Sequence, residues 1–287
     1  MKGVIICAGK SSRLYPATQR LSKQLLPLYD KPLIYYPISM LMEAGIKDII
    51  IVTNKENQAL FADQLGDGSE WGVKFTILVD EKPQGTTGSF LVAKPYIEGE
   101  KVCLILGDNF FYGEDFINKF KDCVMNAKGA YCFGYPVKNP TAFGVANIDK
   151  QGNITKLVEK PKNPESKWAV TGIYIYDEEC VPLAEKVEMS PRGELEITDL
   201  NNFYLAQEKL KLVCLSKKNY WLDAGTADGL LWASNYVKKI QDKTKKQVAC
   251  LEEIAYNNGY IDKAQLKKCY EKVKKSEYGK YLEKYLG

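Results

Sequence analysis

The chain has 287 residues, 40 basic and 36 acidic side chains, a formal net charge of +4 and 45% hydrophobic residues. This length and composition suffice for one large α/β domain with additions, and the mild charge argues against a nucleic-acid-binding surface. The chain contains no histidine, which excludes serine-type triads, histidine-ligated zinc and imidazole general bases. Any chemistry must therefore use carboxylates, Lys, Arg, backbone amides or a hard metal ion.

Two features of the sequence indicate where in the cell the protein is expected: its lack of targeting signals and its pattern of cysteines. No apolar run approaches the length of a membrane span, and the first residues lack the charged-then-apolar order of a signal peptide. The eight cysteines form no C-x-x-C pair, and several lie in apolar runs, which predicts buried free thiols in a reducing compartment. We expect a cytoplasmic enzyme that binds neither nucleic acid nor membranes.

The first predicted element is a buried parallel strand, the apolar and β-branched run over 4–7. It ends in a loop of small residues in which Lys10 and Arg13 are the only charges, and Lys23 follows ten residues after Arg13. Small residues let backbone N–H groups surround an anion, and nearby cations supply the counter-charge. The segment therefore favours phosphate binding over a simple tight turn.

Two familiar phosphate-binding loops are excluded. A Walker A loop needs a glycine five residues before its Gly-Lys pair, and Val4 stands there. The dinucleotide fingerprint needs glycines at 9, 11 and 14, where the chain has Gly, Ser and Leu.

Alternating strands and helices follow the loop. Strands are predicted over 48–53, 74–79 and 102–106, with helices around 36–43, near 55–65 and from 86. This order predicts an α/β fold with a doubly wound, mostly parallel Rossmann-like sheet and helices on both faces. Its ligands should lie beyond the carboxyl ends of the strands, where the N-terminal loop and Asp108 are expected.

The second half of the chain differs in character. Strands dominate from about 130 to 177, with a hairpin turn at 149–153, and helices dominate after 220. We therefore expect a compact α/β domain over 1–240, which includes a small strand-rich part. A helical C-terminal appendage should cover 241–287.

The segment from Gly9 to Lys23 resembles the signature of the sugar nucleotidyltransferases, G-x-G-[ST]-R followed by nine residues and Lys. Within that superfamily the chain is similar to the long-form glucose-1-phosphate thymidylyltransferases. The likeness covers essentially the whole chain, in blocks at 22–37, 65–72, 106–113, 158–164, 168–177, 192–201, 221–226 and 278–282. It implies transfer of a nucleotidyl group from dTTP to glucose 1-phosphate, giving dTDP-glucose and pyrophosphate, by a homodimer or homotetramer.

The resemblance also implies a nucleotide half over about 1–128 and a sugar-phosphate half over about 129–240. Arg13 and Lys23 would be the catalytic cations, which hold the reacting phosphates. Nucleotide contacts are expected from Ala8, Gly9, Ser11, Ser12, Gln24, Asp80, Gly85 and Asp108.

Asp108 and Asp223 would jointly hold Mg²⁺ on the substrate phosphates. An Asp in a turn after a strand is often a structural cap instead. Two carboxylates nevertheless suit Mg²⁺, which completes its shell with phosphate oxygens and water.

The sugar-phosphate end is expected in the second half. By resemblance, Lys160 and Arg192 bind the phosphate of the sugar 1-phosphate, and Glu159 accepts from sugar hydroxyls. Backbone contacts are expected from Gly144 and Val170. Phe143 stands where the family usually has Tyr, so a contact through that hydroxyl is lost and another hexose 1-phosphate stays an alternative.

The base pocket departs most from the family. Asp80 stands where a Gln usually reads the edge of thymine, although Gly85 is retained, and Ala8 and Ser11 replace usual glycines. An ionised carboxylate only accepts hydrogen bonds, which would suit the amino group of cytosine. We expect dTTP first, with CTP or UTP as alternatives. A non-catalytic regulatory member is a further alternative, against which the joint retention of six dispersed charges argues: Arg13, Lys23, Asp108, Lys160, Arg192 and Asp223.

Overall fold

The structure, a computed structural model, describes the backbone of residues 1–287 and every side chain except that of Glu114. The strands are β1 (Lys2–Ile6), β2 (Pro27–Leu28), β3 (Lys31–Pro32), β4 (Asp48–Thr53), β5 (Lys74–Val79), β6 (Val102–Leu106), β7 (Asn109–Tyr112), β8 (Ala130–Pro136), β9 (Gly144–Ile148), β10 (Ile154–Glu159), β11 (Trp168–Tyr176), β12 (Leu210–Cys214) and β13 (Tyr220–Asp223). The α-helices are α1 (Tyr35–Glu43), α2 (Gln58–Leu65), α3 (Thr86–Leu91), α4 (Lys94–Ile97), α5 (Glu114–Met125), α6 (Cys180–Ala184), α7 (Ile197–Ala206), α8 (Ala227–Thr244), α9 (Leu251–Asn257), α10 (Lys263–Val273) and α11 (Glu277–Leu282).

A mixed sheet runs through the molecule in the order β10-β9-β11-β6-β1-β4-β5, and β8 pairs with both β11 and β12. Strands β6, β1, β4 and β5 are parallel, whereas β11 is antiparallel to β6. Since the carboxyl ends of parallel strands meet at one edge, the loop after β1 and the residues after β5 and β6 come together there. The predicted doubly wound α/β fold is confirmed.

The central strands are apolar on both faces. Ile5 and Ile51 belong to the apolar cluster on one face of the sheet, whereas Val4, Ile50 and Leu104 belong to the cluster on the other. Burial on both faces is typical of parallel strands. It accounts for the apolar runs at 48–53 and 102–106, whereas the edge strand at 74–79 has an exposed Lys74 and only partly buried residues after Phe75. All three strands have the bounds that the sequence predicts.

Two local differences from the prediction have physical causes. The predicted helix near 55–65 begins with a 3₁₀ turn, because the Asn54 side chain accepts from the Asn57 N–H and tightens that end. The short pairs β2–β3 and β7–β13 were not predicted. Strand β7 finds its partner more than a hundred residues away, which no local pattern in the sequence indicates.

The C-terminal helices pack against the N-terminal part of the chain. Glu252 of α9 is buried and accepts from Trp71 Nε1 at 3.0 Å and from the Tyr278 hydroxyl. The Tyr260 hydroxyl donates to the carbonyl of Met42 in α1 at 2.9 Å. The predicted helical C-terminal part is confirmed, whereas the predicted boundaries at 128 and 240 stay predictions.

All eight cysteines are free, and six of them are buried: Cys7, Cys103, Cys132, Cys180, Cys250 and Cys269. Burial raises the pKa of the Cys132 thiol to about 12 and that of the half-buried Cys123 thiol to about 11. Over the part of the chain that the structure describes, no helix combines the length and the apolar character of a membrane span.

Candidate active site

A cavity of about 510 Å³ lies at the edge of the sheet where the parallel strands end. It contains seven residues that the sequence predicts for the site: Arg13, Asp108, Gly144, Glu159, Lys160, Val170 and Asp223. Two more of the predicted residues, Lys23 and Arg192, contact carboxylates of its lining. The structure therefore joins the predicted metal-binding and sugar-phosphate residues in one space.

The β7–β13 pair brings the two predicted metal-binding carboxylates together. Asp223 lies opposite Asn109 in the ladder, and the Ala224 N–H donates to the Asp108 carbonyl at 2.9 Å. Burial, and then the negative charge of Asp108, raise the pKa of Asp223. Although burial alone would raise it, the Lys23 ammonium and the Asn109 amide hold the pKa of Asp108 below its usual range.

Each of the two predicted catalytic cations, Lys23 and Arg13, lies beside one of these carboxylates. The Lys23 ammonium donates to Asp108, and the two side chains are only 12% and 13% exposed. Arg13 Nη2 lies 3.4 Å from an Asp223 oxygen, and its side chain is 58% exposed. The first pair is largely buried, whereas the second is open to solvent.

Asn109 fixes the orientation of Asp108, a role that the sequence analysis missed. Its buried amide donates to Asp108 Oδ1 at 3.0 Å, and its oxygen accepts from Trp221 Nε1 at 2.7 Å and the Gly172 N–H at 3.1 Å. A Cβ at Gly172 would lie 2.7 Å from this amide. The signal in the sequence was a polar residue directly before an aromatic run, next to the predicted carboxylate.

At the sugar-phosphate end, Arg192 is surrounded by carboxylates. Its guanidinium lies 2.7 Å from Glu194, 3.4 Å from Glu159 and 3.5 Å from Glu196. Lys160 Nζ lies 3.5 Å from Glu159. Burial raises the pKa of Glu196, which the sequence analysis did not single out.

The small-residue loop has a separate cavity of about 390 Å³ on one side, lined in part by Gly9 and Ser11. Ser11 has a positive φ of 54°, and its carbonyl accepts from the Thr18 hydroxyl at 2.7 Å. Ser12 begins the 3₁₀ turn that carries Arg13. Ala8 and Gln24 are both buried, so their side chains offer little surface to a ligand.

Asp80 is buried, and both of its carboxylate oxygens already accept hydrogen bonds. The Lys82 N–H donates to Oδ1 at 3.1 Å, and the Ser89 hydroxyl donates to Oδ2 at 2.7 Å. Gly85 precedes α3 with φ of 96°, and a Cβ there would lie 2.7 Å from the Leu195 carbonyl oxygen. Neither Asp80 nor Gly85 lines the 510 Å³ cavity.

Replacing Gly225 by Ala should lower kcat roughly tenfold, because misplaced reacting groups lose rate steeply. The added Cβ would lie 2.5 Å from Arg13 Nη2 and 2.7 Å from Asp223 Oδ1, so both side chains would have to move. Steady-state kinetics beside thermal unfolding checks this prediction. A lower unfolding temperature with unchanged kcat would mean that Gly225 serves folding and not the site.

The comparisons with known proteins show the family of the chain. A family model described as nucleotidyl transferase matches residues 2–240. The glucose-1-phosphate thymidylyltransferase of Neisseria gonorrhoeae is 44% identical over 98% of both chains, and that of Xanthomonas campestris pv. campestris (strain B100) is 45% identical over 98% of this chain and 95% of the relative.

Solved structures give the same result. A Bacillus anthracis protein, described as a candidate glucose-1-phosphate thymidylyltransferase, superposes with a TM-score of 0.76 at 38% identity, over 82% of this chain and 94% of that one. A UDP-glucose pyrophosphorylase, at 23% identity over 83% and 98% of the chains with a TM-score of 0.72, shares the fold. The chain belongs to the nucleotidyl transferase family and, within it, to the glucose-1-phosphate thymidylyltransferases.

Proposed function

We propose that the chain transfers a thymidylyl group from dTTP to glucose 1-phosphate and releases pyrophosphate. The observation that carries the proposal is one cavity that holds Arg13, Asp108 and Asp223 beside Glu159 and Lys160. This combination places cations and hard carboxylates next to groups suited to a phosphorylated sugar.

The reaction needs no general base, which suits a chain without histidine. An oxygen of the sugar phosphate, already anionic, attacks the α-phosphorus of the nucleotide. A new P–O bond forms while the bond to the β-phosphate breaks, and its electron pair leaves with pyrophosphate. Positioning and electrostatic stabilisation therefore carry the catalysis.

The cations divide this work in the proposal. Arg13 would bind the β- and γ-phosphates, with the backbone amides of 9–12 beneath them. Lys23 would hold the α-phosphate and the sugar phosphate together. Lys160 and Arg192 would bind the sugar phosphate, once it displaces the carboxylates that now surround Arg192.

Asp108 and Asp223 fit Mg²⁺ by their chemistry. Both are hard carboxylates, and Asp108 directly precedes β7 while Asp223 ends its partner strand β13. Burial, and then the charge of Asp108, raise the pKa of Asp223, and a cation would relieve that repulsion. Bound there, Mg²⁺ would offset the negative charge of the substrate phosphates.

Glucose is the proposed sugar, with Glu159 accepting from its hydroxyls. Phe143, which lacks the usual hydroxyl, packs edge-on against Trp221 with ring centroids 5.1 Å apart. It therefore forms part of an apolar wall of the cavity. Another hexose 1-phosphate is the alternative.

The proposal extends to assembly and location. A homodimer or homotetramer is proposed, in support of which α8 exposes Leu231 and Trp232 by 57% and 58%. A cytoplasmic location is proposed because all eight thiols are unpaired. Light scattering and fractionation of cells test these two points.

A panel of dTTP, UTP and CTP, each with several sugar 1-phosphates, tests the function by pyrophosphate release. We expect the highest kcat/KM for dTTP with glucose 1-phosphate. Preference for UTP or CTP would replace the nucleotide assignment. Release with no pair, in a folded protein that still binds a nucleotide sugar, would favour the regulatory alternative.

Replacing Asp80 by Gln should leave the relative kcat/KM of the three nucleotides unchanged and lower thermal stability. Both Asp80 oxygens are held within the chain, so the side chain braces the loop before Gly85. Ser89→Ala is the matched variant, because it removes one partner of Asp80, and it should behave alike. A shift towards dTTP and UTP by about 1–3 kcal/mol would instead show that Asp80 reads the base.

A further inference from the structure

The charges at the centre of the site form two ion pairs, of which one is largely buried and the other is open to solvent. The Lys23 ammonium bonds to Asp108, and the Arg13 guanidinium lies 3.4 Å from Asp223. Every cation proposed for the triphosphate thus faces a carboxylate proposed for the metal ion. The formal charges of these four groups sum to zero. The ligand-free site therefore attracts a further ion of either sign only weakly.

We propose that these ion pairs mask the site against either ligand alone, so that the divalent cation and the nucleotide bind together by exchanging partners. The proposal rests on the proposed function, since it assumes that these four groups face the metal and the phosphates. It adds that each partner of the buried pair blocks a ligand of the other. The bond to Lys23 keeps Asp108 from binding free metal, and the bond to Asp108 keeps Lys23 from binding free phosphate.

The burial of the Lys23–Asp108 pair makes this mutual blocking strong. Their side chains are 12% and 13% exposed, so water can do little to stabilise whichever partner is left alone. A metal ion that took Asp108 would leave the Lys23 ammonium unpaired beside a new positive charge. A triphosphate that took Lys23 would leave Asp108 unpaired beside new negative charge. Both losses disappear only when metal and phosphate arrive together.

Replacing Lys23 by Met should unmask the metal site. Titration calorimetry with Mn²⁺ alone should show weak or no saturable binding to the unchanged chain and at least roughly tenfold tighter binding to Lys23→Met. Lys160→Met is the matched control, because Lys160 lines the same cavity but pairs with Glu159. It removes the same charge without freeing Asp108, so it should leave Mn²⁺ binding nearly unchanged.

The reciprocal measurement uses inorganic pyrophosphate without metal. Asp108→Asn frees Lys23 and should bind pyrophosphate at least roughly tenfold more tightly than the unchanged chain. The double variant Lys23→Met/Asp108→Asn should lose both gains. If Lys23→Met does not fold, as judged by circular dichroism, the pyrophosphate titration of Asp108→Asn decides alone.

Two results would overturn the proposal: tight Mn²⁺ binding by the unchanged chain alone, or equal gains in Lys23→Met and Lys160→Met. None of these titrations requires turnover. A chain that shows unmasking but does not turn over dTTP would therefore overturn the proposed function and leave the partner exchange standing.

Discussion

Replacing Asp223 by Asn should reduce kcat by roughly 10³-fold, because the variant loses one of the two carboxylates proposed to hold the metal ion. Asn keeps an oxygen that can accept from the Gly225 N–H, a bond now 2.8 Å long, so the local backbone should hold. The expected loss is therefore one of chemistry and not of structure. Steady-state kinetics at saturating substrates measures it.

Thermal stability should stay constant or rise in the same variant. Burial and the charge of Asp108 raise the pKa of Asp223 in the folded protein. A carboxyl group with a raised pKa weakens folding at pH values above that pKa, because the unfolded chain carries its charge at less cost. Near pH 7 a neutral amide removes this penalty.

Asp228→Asn is the control for Asp223→Asn, because it makes the same chemical change at an exposed position in the first turn of α8. It should keep normal kcat. In the unchanged chain, a chelator should abolish activity and Mg²⁺ should restore it. Normal kcat in Asp223→Asn, or full activity after chelation, would contradict the metal assignment.

Replacing Arg13 by Ala should reduce kcat by roughly 10²-fold, as expected when a preorganised electrostatic partner is removed. The Arg13 side chain is 58% exposed and its pair with Asp223 is open to solvent, so the free energy of unfolding should change by less than about 1 kcal/mol. Arg20→Ala, which removes an exposed arginine of the same segment, is the matched control. A large fall in unfolding temperature with unchanged kcat would mean that Arg13 serves the loop and not the phosphates.

Much of the fold could be predicted because both the composition and the ends of its central strands are visible in the local sequence. The runs at 48–53 and 102–106 are apolar, rich in β-branched or long aliphatic residues and bounded by turn residues, so their ends are visible in sequence. The end of α1 is equally visible, because Gly45 adopts a positive φ of 84° after it. The β7–β13 pair was not predictable, since its register depends on tertiary packing.

In the site, too, the sequence predicted individual residues but not the contacts between them. Motifs named Lys23 and Asp108 separately, but their ion pair exists only because the loop after β1 reaches the carboxyl end of β6. Asp80 was singled out by its departure from the family, whereas its bond to Ser89 depends on how α3 packs. Asn109 was passed over because an Asn after an Asp in a turn usually signals only the turn.

The buried thiols can report on local opening of the sheet, because they react only when they become exposed. Reagents attack the thiolate, and burial keeps the thiols of Cys7 and Cys132 protonated and out of reach. Cys7 packs under Gly107, one residue before Asp108, where a Cβ would lie 2.6 Å from its sulfur. The rate at which Cys7 is alkylated therefore measures how often β1 separates from β6 beneath the carboxylate. The rate at which Cys132 is alkylated measures how often β8 loosens. A fluorophore attached to a cysteine introduced on the surface would meet little competition from the six buried thiols, once the partly buried Cys123 and Cys214 have been replaced.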